Sequence, residues 1–150
     1  LWSIKTTRSK MILKFFNKNK EKSNTNAESV NIACLLIHAA KIDENYTSEE
    51  REIIKKTIKK LYPDLDNLDD VVTQAEQKED DSNHIQEFTR DVKSLSTENK
   101  ITIVETLWRI ILSDGKSDIY ENNLMRRLAG LLYLDDKVVG ETKIKVLNNK

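Results

Sequence analysis

Four carboxylates are the residues whose type and spacing could do chemistry: Asp43, Glu50, Asp114 and Glu121. Each pair is seven residues apart, and the second pair repeats the first 71 residues later, as Ile32 does with Ile103. If two such turns meet in the fold, four carboxylates repel one another unless neutralised. A hard divalent cation, Ca²⁺ or Mg²⁺, is the oxygen-binding partner suited to that role. The competing reading is structural and comes first. Glu50 follows Thr47 at capping-box spacing, and Glu121 follows Asp118 likewise. Asp43 and Asp114 can accept hydrogen bonds from turn amides. Neither turn is an EF-hand, because the sixth and twelfth positions from Asp43 are Ser48 and Ile54, and from Asp114 are Ile119 and Met125.

Other chemistry is sparse. His38 and His84 each stand alone, without a paired acid at metal-ligand spacing, so His38 reads as a partly buried packing residue and His84 as solvated. Cys34 lies in an apolar helical stretch and reads as a small core residue. No glycine-rich phosphate loop and no nucleophile motif occurs. Trp108 and Tyr133 continue apolar helical patterns, which places both in the core rather than on a ligand platform. Arg126 and Arg127 fall outside the apolar stripe of their helix, either as a solvated face or as contacts for an acidic partner.

The elements that must position these residues are helices. Ile103, Val104, Leu107, Trp108, Ile110, Ile111 and Leu112 surround almost the whole circumference of one helix, which marks it as central and buried. Asp114-Gly115 ends it, and a second helix follows with a stripe of Leu124, Leu128, Leu131 and Leu132. Upstream, Ile32, Leu36, Ile37, Asp43, Glu50, Ile54, Leu61, Tyr62 and Asp64 occupy the same register as Ile103, Leu107, Trp108, Asp114, Glu121, Met125, Leu132, Tyr133 and Asp135. The register holds without a gap, so it reads as an internal duplication within one domain. Seven helices are expected, near 26–42, 48–61, 67–79, 84–94, 97–113, 119–133 and 136–147. Thr25, Thr47, Asp66, Ser96, Asp118 and Asp135 or Asp136 stand at the starts of all but the fourth. The class is all-α, in two pseudo-symmetric repeats, with residues 1–25 a basic tail and 26–150 the helical domain.

Composition agrees. Three Gly and one Pro among 150 residues argue against a turn-rich β fold. No apolar run reaches the roughly 18 residues of a membrane span. Lys and Arg balance Asp and Glu at 25 each, so no global electrostatic case for nucleic acid exists. Charge is uneven, however. Seven cations face only Glu21 across residues 1–22, and eight carboxylates face only Lys78 across 64–81. The acidic stretch reads as solvated surface or as a site for a basic segment. The basic one, with Ile12, Leu13, Phe15 and Phe16, reads as a frayed or docked tail, with a weak membrane-surface contact as the alternative. Met11 is a candidate natural start. One cysteine permits no disulfide within the chain, which fits a reducing cytoplasm.

Leu107-Trp108-Arg109, Asp114-Gly115, Tyr120-Glu121, Arg126-Arg127 and Leu131-Leu132-Tyr133 together resemble the tellurite-resistance TerB-like family of bacteria. The earlier Ala-Ala-Lys-Ile-Asp-Glu and Ser48-Glu49-Glu50-Arg51 form a looser copy, with Glu44 where that pattern has glycine. The resemblance spans about 28–147. It implies an all-helical, two-repeat, cytoplasmic and stress-associated domain. The expected function is non-enzymatic: interaction with a protein partner, with divalent-cation sensing at the acidic turns. The alternatives are a metal-dependent enzyme using those acids and a purely structural dimer module.

Overall fold

Local sequence sets the helix starts. Thr47 closes a full capping box with Glu50, and Ser96 Oγ accepts the amide of Asn99 at 3.2 Å. Each satisfies amide groups that a helix start otherwise leaves without partners. The computed structural model describes residues 25–41, 46–81, 85–112 and 119–149, without the side chains of 85–87 and 119–121. Among them are seven helices and no strand: α1 (25–40), α2 (Ser48–Leu61), α3 (Leu68–Asp81), α4 (Ile85–Lys93), α5 (Thr97–Ile111), α6 (Ile119–Leu131) and α7 (Asp136–Asn148).

Two helices form the centre. Six consecutive residues of α1, Ile32 to Ile37, are fully buried, and α5 buries Ile103, Val104, Leu107, Trp108, Ile110 and Ile111. Burial all round is what their apolar circumference requires. The other helices present one stripe each. In α2 it is Glu50, Ile54, Thr57 and Ile58; in α3 it is Val71, Val72, Ala75 and Glu79. In α7 it is Val139, Thr142 and Val146, leaving Ile144 and Leu147 exposed. A threonine in the middle of that stripe, its hydroxyl bonded to the carbonyl of Val138 at 2.8 Å, is why α7 lacks a clean apolar period in the sequence. Helix α5 packs against α2 and α7, α2 against α3, and α6 against α7. Polar ties fix these crossings. Trp108 Nε1 donates to the carbonyl of Val139 at 3.1 Å, and the Thr57 and Thr106 hydroxyls meet at 2.8 Å between α2 and α5. Cys34 Sγ lies 3.4 Å from the carbonyl of Ala75, joining α1 to α3.

Helices α1 and α5, and α2 and α6, keep the 71-residue offset in their boundaries to within one residue. Ile32 and Ile103, Leu36 and Leu107, and Ile54 and Met125 are buried in both copies. The reading as an internal duplication rests on the sequence register.

Three expectations need correction. Helix α3 starts after Asn67, whose carbonyl accepts the amide of Val71 at 3.0 Å, rather than after Asp66. Helix α6 stops at Leu131, not at 133. Tyr133 is therefore not core: it is 78 % exposed, with φ at +57°. The chain closes α6 with a Schellman motif, in which Leu134 N–H reaches the carbonyl of Ala129 at 2.9 Å and Tyr133 N–H that of Gly130 at 3.3 Å. Such a closure needs a left-handed residue, normally glycine, and here Tyr133 occupies that place.

Candidate functional site

Of the four carboxylates singled out by spacing, only the side chain of Glu50 is described. Asp43 and Asp114 lie outside the described residues, as does the side chain of Glu121, so the meeting of all four does as well. Glu50 is 4 % exposed. Its Oε1 accepts the amide of Thr47 at 3.2 Å and the hydroxyl of Thr47 at 3.0 Å, while its own amide donates to Thr47 Oγ1 at 3.1 Å. One carboxylate oxygen is thus committed to starting α2. Among the described residues no three metal-ligating side chains converge.

The described residues on either side of 42–45 in the chain are nevertheless polar and partly buried. Lys41, at the end of α1, reaches Glu79 Oε2 at 2.7 Å and Asp80 Oδ1 at 2.5 Å. Burial works against its charge, but the hydrogen bond to Asp80 and the charge of Glu79 hold the Lys41 ammonium above its usual range. Glu79 is buried to 8 % exposure, and its Oε2 touches Lys41 as a charge contact off hydrogen-bond geometry. His38 Nδ1 lies 3.3 Å from Glu79 Oε1. His38 is half-buried as expected, but it has the acidic partner that its sequence neighbourhood lacks. Tyr46, just past the turn, buries its hydroxyl with no hydrogen-bond partner among the described residues. Burial, aided by the Glu76 charge, pushes its phenol up to about 12.

The acidic stretch 64–81 divides in two. Carboxylates facing α2 are paired: Glu76 with Arg51 Nε at 2.9 Å, and Asp69 with Lys55 at 2.6 Å. The Lys55 hydrogen bond lowers the Asp69 carboxyl below its ordinary value. Asp64, Asp66, Asp70 and Asp81 are exposed and make no ion pair among the described residues.

An open groove of about 220 Å³ lies between α2 and α5, with Lys56, Lys60 and Arg109 at its rim. Its floor hydroxyls are already engaged. Thr57 reaches the carbonyl of Ile53 at 3.1 Å, Thr106 that of Thr102 at 3.0 Å, and each reaches the other. Two hydroxyl protons serve three contacts, which leaves none to aim at a bound anion. Glu105 is held by Arg109 at 2.7 Å. The groove therefore offers neither an activated nucleophile nor a free acid–base pair.

Arg126 and Arg127 are both exposed, as expected of residues outside the stripe, and neither forms an ion pair or side-chain hydrogen bond among the described residues. Asn123, Arg126, Arg127 and Gly130 share the exposed side of α6, and Tyr133 follows at its end. A Cβ built at Gly130 would meet nothing within 4 Å, so open space adjoins the backbone there. Tyr133 was missed in the sequence because Leu131, Leu132 and Leu134 flank it, which extends the apolar pattern across the helix end. The one usable signal was the lack of a glycine where α6 had to stop. No helix among the described residues is long and apolar enough to cross a membrane.

Comparison with known proteins agrees with the helical arrangement. The family model described as "Tellurite resistance protein TerB" matches residues 29–143. No curated protein matches the chain. No solved structure matches it either.

Proposed function

Since this chain belongs to the tellurite resistance protein TerB family, we propose that it is a non-enzymatic helical interaction domain whose outer α6 face receives a protein partner. One observation carries the reading: Arg126 and Arg127 stand exposed side by side with no carboxylate partner among the described residues. Arginine is enriched where protein surfaces meet, because its planar fork binds carboxylates bidentately and is weakly hydrated. The stress-associated, cytoplasmic setting implied by the family resemblance accords with a lone, buried thiol at Cys34. The test is the size of the native assembly. In cell extract, the chain carrying Arg126→Ala and Arg127→Ala should leave the larger species that the unaltered chain forms, with its helix content unchanged. An unaltered assembly removes the α6 face from the proposal.

A second reading is divalent-cation sensing at the acidic turns. It is favoured by the buried carboxylate of Glu50 and by the hydroxyl of Tyr46, which has no hydrogen-bond partner among the described residues. A cation there would bind Asp43, Glu50, Asp114 and Glu121 through oxygen. Titration with Ca²⁺ or Mg²⁺, followed by melting, should raise the Tm of the unaltered chain and not that of Asp43→Asn, Asp114→Asn. An equal response in both removes the idea.

A further inference from the structure

Tyr133 follows the end of α6, two residues past Leu131, on a backbone at φ +57°. A side chain in that conformation crowds its own carbonyl, which is why glycine is the usual occupant. A bulky aromatic residue held there and left 78 % exposed gains little burial in return. Backbone outliers of this kind cluster at binding positions. Two further elements converge on the ring. Lys93, at the end of α4, and Lys100, in the first turn of α5, place their ammonium nitrogens 5.8 Å and 5.9 Å from its centroid. Neither lysine pairs with a carboxylate among the described residues.

We propose that Tyr133, flanked by Lys93 and Lys100, is the anchor on which the α6 face receives a carboxylate-rich segment of a partner protein. This rests on reading that face as the docking surface. Lys93 and Lys100, like Arg126 and Arg127 on α6, have no carboxylate partner among the described residues, and the open ring supplies a flat apolar surface beside the two lysines. An arriving carboxylate exchanges the weak lysine–ring contact for an ion pair shielded by the ring. Asp135 and Asp136, exposed at the start of α7, follow Tyr133 closely in the chain and disfavour acids at that end. The segment is thereby directed from Tyr133 back along α6 toward Arg126. A polynucleotide is disfavoured, because the chain carries no net charge and its 64–81 stretch is acidic.

The probe is a synthetic 16-residue peptide of Glu and Asp around a central Leu, titrated at low salt into the full chain and followed by amide NMR. Shifts should concentrate at Lys93, Lys100, Arg126, Arg127 and Tyr133. Tyr133→Gly should weaken binding roughly ten-fold while leaving the fold intact, since glycine suits that backbone. Lys93→Gln with Lys100→Gln should weaken it and flatten its salt dependence. Absence of saturable binding, equal binding by Tyr133→Gly, or tighter binding of an oligothymidylate at the same residues would overturn the proposal. If the arginine variant loses its assembly in cell extract while the acidic peptide fails to bind, the docking face stands and the acidic partner falls. If neither responds, both fall.

Discussion

Replacing Tyr133 by glycine and by alanine separates backbone strain from ring contacts. Both substitutions remove the ring, and with it two cation–π contacts of about 0.5 kcal/mol each at an exposed position. That loss cancels in the comparison of the two variants. What remains is the backbone at φ +57°. At an ordinary helical position glycine is less stable than alanine by about 0.5–1 kcal/mol, because it loses more chain entropy on folding. In the left-handed region the order reverses, since alanine keeps the Cβ clash and glycine does not, a difference of about 1 kcal/mol. Tyr133→Gly should therefore melt about 2–4 °C above Tyr133→Ala for a chain of this size. It should lie within about 0.5 kcal/mol of the unaltered chain, the relieved strain offsetting the lost lysine contacts. Thermal and urea unfolding of the three full-length chains, followed by far-UV circular dichroism, gives the order directly. An alanine variant as stable as the glycine variant, or more so, refutes a left-handed closure of α6 at Tyr133.

Further outcomes follow from the packing. Trp108→Phe keeps most of the apolar volume but leaves the Val139 carbonyl with its helical partner alone, and should cost about 1 kcal/mol by urea unfolding. Thr57→Val and Thr106→Val should each cost about 0.5–1 kcal/mol, yet the pair together less than the sum, because each hydroxyl bonds the other at 2.8 Å; additive losses would deny that contact. Burial, and secondarily the Glu79 charge, pushes the Cys34 thiol from 9.0 up to about 12, against the pull of Lys78. The unfolded chain therefore sheds this proton first, and stability falls as pH rises from about 9 to 12. Cys34→Ala should reduce the slope of that loss by about 1.4 kcal/mol per pH unit, and native Cys34 should resist alkylation until the chain unfolds. Thr47→Ala, which breaks the capping box, should cost about 1 kcal/mol in urea unfolding.

Features set by neighbours in the chain were legible before any coordinates. Thr47 with Glu50 and Ser96 with Asn99 are local contacts, and the all-round apolar circumference of α5 needs only its own periodicity. Trp108 was placed in the core for the same reason. Contacts between distant residues were not legible. His38 meets Glu79 across 41 positions, and Thr57 meets Thr106 across 49; no spacing rule reaches that far. Tyr133 misled because residue type suggests burial while the stop of α6 is decided by backbone closure. The site was legible only in part: spacing picked out Glu50 and its capping box with Thr47 but not the depth of its burial, whereas the exposure of Arg126 and Arg127 followed from their place outside a leucine stripe.

The docking face is tested most directly by a photo-reactive amino acid placed at Asn123, on the exposed side of α6, and separately at Ile144, on the exposed side of α7. In cells making the full chain, the expected result is a crosslinked partner from position 123 that is lost on adding Arg126→Ala and Arg127→Ala, with none from position 144. A partner captured from 144 and not from 123 contradicts it.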